Sequence, residues 1–228
     1  MVEYIKGDIH EVIKTIDSNT IDFIYTDPPF SITKASWDKP LQWETLFPEM
    51  WRVLKPNGII CLYSSMPFTY ELLTYQKPKY NYTWIKNNST GFFSAKYQPL
   101  RQTEEIFIYY KKTGTYNPQM IGDKFVKKRN VKYGGQNGYW GEAGINKDNE
   151  YVEEEGHTGK YPTNVRYDKI EKGKKNIKPI SLSTYFIKTY SNEGDTILDM
   201  CCNNKVVGNL CSELNRKYIG VDIDPVFS

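Results

Sequence analysis

Ile21-Asp22-Phe23-Ile24-Tyr25-Thr26-Asp27-Pro28-Pro29-Phe30 is a β-branched and aromatic run that stops on an acid, two prolines and a ring. The run suits a buried parallel strand, and the prolines, with φ locked and no N–H to donate, end it abruptly. Open α/β sheets place their ligands just outside the carboxyl ends of such strands. A carboxylate, rigid backbone carbonyls and a stacking ring together suit the exocyclic amino group of a flat base.

The flanking sequence supplies the rest of an α/β layout. Met1 to Ile5 reads as a strand, and Ile9, Val12, Ile13 and Ile16 follow with helical spacing. Trp43, Leu46, Phe47, Met50, Trp51 and Leu54 form a second stripe, with Pro48 as a kink or late helix start. Lys55-Pro56-Asn57-Gly58 ends that helix before the strand Ile59 to Tyr63. Tyr80 to Lys86 and Glu105 to Lys111 are further strand candidates. From Lys112 to Lys178 the pattern is irregular, rich in glycine and isolated charge. Order resumes with a helix near Ser181 to Tyr190, the strand Thr196 to Leu198, a stripe at Val207, Leu210, Cys211 and Leu214, and the strand Lys217 to Val221. Strand–helix alternation of this kind predicts a mainly parallel sheet with helices on both faces.

At 228 residues there is room for one α/β domain with an insertion. With only His10 and His157, the sequence argues against a histidine-based triad or zinc site, and the four cysteines lack metal-ligand spacing, so no metal is expected. Four cysteines with this spacing suit a reducing, cytoplasmic compartment. No apolar stretch reaches membrane-spanning length, and no membrane role is expected. No Gly-x-Gly-x-x-Gly follows a strand, which argues against a nicotinamide enzyme. The net charge of +3 is modest, but Lys124, Lys127, Lys128, Arg129 and Lys132 cluster, as do Lys169, Lys172, Lys174, Lys175 and Lys178. Abundant Lys, Asn, Ile and Tyr is compatible with an AT-rich genome such as that of a phage or virus.

Read in order, Asp27-Pro28-Pro29-Phe30, Ser36-Trp37-Asp38, Arg52 to Gly58, Gly91-Phe92-Phe93, Pro99-Leu100-Arg101, Thr115 to Gln119, Lys178-Pro179, Ile197-Leu198-Asp199 and Asn215 to Asp222 carry a resemblance. The chain resembles the amino-group (N6-adenine/N4-cytosine) DNA methyltransferases, in the permuted branch where the catalytic motif precedes the cofactor motif. The resemblance implies an S-adenosylmethionine-dependent, Rossmann-like fold. Residues 1–111 would be the catalytic half, 112–177 a target-recognition insertion and 178–228 the cofactor-binding half.

It also implies roles. Asp27 and the carbonyl of Pro28 would accept the amino hydrogens of the target, Pro29 would fix the turn, and Phe30 would stack on a flipped base. Asp8, Lys178, Pro179, Leu182, Asp199, Cys201, Asn203, Asn204 and Asp222 would line the S-adenosylmethionine site. Lys127, Lys128, Arg129 and Lys132 would meet DNA phosphates. An Asp in the first motif position favours adenine N6 over cytosine N4, within a restriction-modification setting. A homodimer is allowed for.

Two departures from the family pattern stand out. Met200 to Gly208, containing Asn203-Asn204-Lys205, replaces a Gly-Ser-Gly loop, and Lys174-Lys175-Asn176-Ile177 replaces the usual His-Pro-Thr-Gln. Cytosine N4 transfer and a catalytically silent nucleic-acid-binding subunit are the competing expectations, with an RNA or protein-amide methyltransferase behind them.

Overall fold

The computed structural model describes residues 1–126, 157–171 and 177–224. Strands β1 (Val2–Lys6), β2 (Ile21–Thr26), β3 (Leu54–Ser64), β4 (Tyr80–Thr90), β5 (Arg101–Tyr109), β6 (Ile121–Val126), β7 (His157–Lys160), β8 (Val165–Arg166), β9 (Thr196–Asp199) and β10 (Lys217–Asp222) alternate with helices α1 (Ile9–Thr15), α2 (Trp43–Val53), α3 (Phe68–Tyr75), α4 (Ile180–Tyr190) and α5 (Val206–Glu213). Met1–Asn117 with Thr163–Ser228 forms one compact unit, and Pro118–Pro162 a second, in which β6 and β7 pair antiparallel.

The main sheet runs β1-β10-β9-β2-β3-β5-β4-β8. Its pairs are parallel except at β5, which lies antiparallel to both β3 and β4. Side chains alternate across the sheet with the two-residue period of a strand. Ile24, Ile60 and Leu62 join one core with Ile13 of α1, Trp43 and Met50 of α2, and Leu72 of α3. Phe23, Tyr25, Cys61 and Tyr63 join the other with Phe186 of α4 and Cys211 of α5. Both faces of the central strands are therefore dry, which is why these runs read as continuously apolar. Each fully buried large side chain contributes roughly 1.5–3 kcal/mol.

The helices form for local reasons as well. Asp8 caps α1 by accepting the His10 N–H at 2.9 Å. Helix α2 begins at Trp43 and runs through Pro48, so the proline is not a late start. Gly208 sits where α5 crosses β1, and a Cβ there would lie 2.2 Å from the Tyr4 hydroxyl oxygen.

Three features depart from the sequence expectation. Lys55 to Gly58 belong to β3 itself, with a register shift opposite Ile21 and Phe23. Helix α3 was not anticipated, because only Phe68, Thr69 and Leu72 of its eight residues are buried. The irregular segment contains the short strands β6, β7 and β8.

Topology sets the position of the site. From β9 the chain runs through α5 to β10 on one side, and from β2 through α2 to β3 on the other. Their helices pack on opposite faces, so a crevice opens at the carboxyl ends of β9 and β2.

Candidate active site

Four adjacent parallel strands, β1, β10, β9 and β2, each end at an acid: Asp8, Asp222, Asp199 and Asp27. The sheet brings together residues as much as 214 positions apart in sequence (8 to 222) on a single edge.

The turn after β2 is fixed from behind. Asp38, buried, accepts the backbone N–H groups of Ser31 at 2.6 Å, Ile32 at 3.0 Å and Thr33 at 2.6 Å. This clamp holds Ser31 at φ +56°, a left-handed conformation costly for a non-glycine residue. Pro28 is buried, while Pro29 and Phe30 are half-buried. Phe30 stacks on Phe68 of α3, with ring centroids 5.4 Å apart. Asp27 thus projects from a rigid turn with an aromatic wall beside it.

Behind Asp27 lies a row of four alternating charges. Lys178 Nζ is 2.9 Å from Asp27 Oδ1 and 2.7 Å from Glu104 Oε2, and Lys86 Nζ is 3.1 Å from Glu104 Oε1. Side-chain exposure rises from 5% at Lys86 through 12% at Glu104 and 16% at Lys178 to 35% at Asp27, so the row leads outward to the crevice. The Lys178 ammonium also lies near the rings of Tyr63, Phe30 and Trp84, at 4.7, 5.5 and 5.7 Å. Desolvation opposes its charge, but Asp27 and Glu104 together outweigh that and raise its pKa. Glu104 is desolvated too, yet Lys178 and Lys86 hold it below the usual glutamate value. Burial pushes Asp27 up, and Lys178 limits the rise. Lys178, expected in the cofactor site, stands beside the Asp27–Phe30 turn, and its neighbours Glu104 and Lys86 were not anticipated from the sequence.

The other half of the crevice is built by β9 and β10. Asp199 Oδ1 accepts the Cys201 N–H at 3.2 Å, and Oδ2 accepts the Tyr218 hydroxyl at 3.1 Å. Asp222 accepts the N–H of Asn203 at 2.8 Å and of Asp224 at 3.0 Å, which ties the loop after β9 to the end of β10. Asn203 takes φ +52°, the bend a glycine makes without strain. Asn204 accepts the Val206 N–H at 2.9 Å at the start of α5, and Lys205 is exposed. Asp8 is exposed beside its cap, Pro179 precedes α4, and Leu182 is fully buried in the core. Lys127, Lys128, Arg129 and Lys132 lie outside the described residues.

A cationic, hydroxyl-bearing cofactor fits this donor set. Among the described residues Asp199 is a buried acid with no cationic partner, and desolvation pushes its pKa to about 7 against the help of the Cys201 N–H and the Tyr218 hydroxyl. A cation in the crevice would draw it back down. Because its folded pKa lies above the unfolded value, Asp199 favours the fold only while protonated. That contribution is complete below about pH 4 and is lost as pH rises through about 7. Without cofactor, Asp199→Asn should gain stability relative to wild type between pH 5 and 7, by about 1.4 kcal/mol per pH unit. Above about pH 7 the gain should level off. Thermal melts of both proteins across pH 5 to 8 check this, and a constant gap would contradict the burial account.

The chain is similar to known methyltransferases in sequence and in fold. Residues 21–228 match the family model described as DNA methylase. The Type II methyltransferase M.HpaI of Haemophilus parainfluenzae is 29% identical over 231 residues, covering 94% of this chain and 68% of that protein. The DNA adenine methyltransferase YhdJ of Escherichia coli (strain K12) is 27% identical, covering 96% of this chain and 78% of its own length. The solved M1.HpyAVI–SAM complex superposes with a TM-score of 0.59 at 21% identity, over 98% of this chain and 94% of that one. The cytosine-N4-specific PvuII DNA methyltransferase gives 0.64 at 13% identity, over 98% and 82%. These two structures bear on the fold.

Proposed function

The chain belongs to the DNA methylase family, and from that membership together with its site we propose that it transfers a methyl group from S-adenosylmethionine to N6 of adenine in DNA. The observation that carries the reading is Asp27-Pro28-Pro29-Phe30 at the end of β2, next to the strand that ends at Asp199, with Asp38 fixing the backbone of Ser31 to Thr33 directly after it.

An exocyclic amine is a weak nucleophile because its lone pair is delocalised into the ring. Asp27 and the Pro28 carbonyl would each accept one amino hydrogen and favour a pyramidal nitrogen. S-adenosylmethionine supplies an electrophilic methyl on a sulfonium. The nitrogen would take that methyl, leaving a neutral thioether, and the proton lost by the amine would leave past Asp27, the most exposed end of the charge row, to solvent. The protein's contribution is positioning and preorganised charge. Asp199, Asp222 and Asp8 would hold the cofactor along the edge, with Asn203 and Asn204 bending the loop against it.

The target base must leave the duplex to reach this turn. Phe30, backed by Phe68, would stack on it for roughly 1–3 kcal/mol. The basic cluster Lys127, Lys128, Arg129 and Lys132, in the 112–177 segment, would contribute phosphate contacts. Among the described residues there is no His/Cys/Asp/Glu group that could hold a metal, and no helix is long and apolar enough to cross a membrane.

Cofactor titration tests the reading against the silent-subunit alternative. Wild type should bind S-adenosylmethionine with a calorimetric signal that Asp222→Ala weakens. No detectable binding would favour a silent subunit.

A further inference from the structure

Asp27 and Lys178 place a hydrogen-bond acceptor and a donor side by side, 2.9 Å apart, at the mouth of the crevice. Lys178 is held there from behind. Glu104 takes a second of its three N–H groups, and Lys86 holds Glu104 in turn. Among the described residues the third N–H has no acceptor, which leaves it for an incoming one. The buried rings of Tyr63 and Trp84 pack around the ammonium from the core side, and the half-buried Phe30 is the ring beside it that a flat base can meet.

We infer that the Asp27–Lys178 pair reads an amidine edge, Asp27 accepting from the exocyclic amine and Lys178 donating to the unprotonated ring nitrogen beside it. The inference rests on the methyltransferase reading above and adds the recognition element. Adenine presents this edge as N6 beside N1, and cytosine as N4 beside N3. Thymine, with no exocyclic amine, does not. Guanine's amine lies beside a protonated N1 on the same Watson–Crick edge and is refused there, so the pair recognises what adenine and cytosine share, and the choice between them is made by other contacts. Lys178 does not activate the nitrogen, since a donor at the ring nitrogen draws electron density from the amine. Its role is orientation: two fixed points define the plane of the base, whereas Asp27 alone leaves it free to rotate.

A chemical double-mutant cycle tests the inference. The target base, once located by sequencing of modified DNA, is replaced by 1-deazaadenine, in which a C–H stands where N1 was. Adenine and analogue are both placed in a mismatch, so that loss of Watson–Crick pairing does not distinguish them. Single-turnover methylation is then measured with wild type and Lys178→Met. In wild type the analogue should react roughly 10- to 150-fold more slowly, the equivalent of one charged hydrogen bond. In Lys178→Met the two bases should differ by less than about threefold, because the partner of N1 is already gone. Equal losses in both enzymes would overturn the amidine reading while leaving the methyltransferase reading in place. No methylation of the adenine duplex by wild type would remove both. If Lys178→Met does not fold, wild-type affinity for the two mismatched duplexes decides: a tenfold or greater preference for adenine supports the inference, and equal affinity overturns it.

Discussion

Replacing Asp27 with alanine is expected to lower the single-turnover methylation rate by roughly 100- to 1,000-fold or more, the scale of losing a preorganised transition-state contact. Among the described residues, Asp27 is the carboxylate that ends β2, and the other acid beside Lys178 is the mostly buried Glu104. The truncation should spare the fold. Asp27 is the most exposed member of the charge row, and Lys178 keeps Glu104 at 2.7 Å after it is gone. Cofactor affinity should also survive, because Asp199 and Asp222 have their own hydrogen-bond partners. The checks are a thermal melt, a calorimetric titration and a rapid-quench assay on one preparation. A folded Asp27→Ala protein within tenfold of wild-type rate would contradict the assigned role.

Glu104→Ala is expected to cost about 3–5 kcal/mol of stability, typical of breaking a buried pair by removing one partner. For a chain of this size that lowers the melting temperature by roughly 10 °C. Its removal leaves Lys86 and Lys178 buried with Asp27 as the remaining anion. The row carries two positive and two negative charges, so a second change that restores neutrality should recover part of the loss. Lys86→Met/Glu104→Ala should therefore melt above Glu104→Ala. If the single variant lies within about 1 kcal/mol of wild type, or the double variant is the less stable, the row does not act as a unit.

Much of the fold was legible because its signals are local. The apolar run Ile21 to Tyr25, the spacing of Ile9, Val12, Ile13 and Ile16, and that of Trp43, Leu46, Phe47 and Met50 all lie within a few residues of chain. The reversed β5 was not legible, since period-2 alternation carries no direction. Helix α3 was missed because it exposes Tyr70, Leu73 and Tyr75, which blurs its apolar stripe. In the site, the strand-end acids could be read from where the strands stop. The charge row could not, because Glu104 and Lys178 are separated by 74 residues and meet through the sheet. Glu104 reads as one more polar residue in Arg101-Gln102-Thr103-Glu104-Glu105. The available clue was Lys86, which falls on the same face of its strand as Tyr82 and Trp84, a buried face where a cation needs an anion.

Methylation of DNA in cells lacking their own methyltransferases, mapped by single-molecule sequencing, tests the central claim most directly. Cells expressing the wild-type chain should carry N6-methyladenine at one recurrent sequence, and cells expressing Asp27→Ala should carry none. N4-methylcytosine at such a sequence would reassign the base, and unmodified DNA from cells with folded wild-type protein would contradict the account.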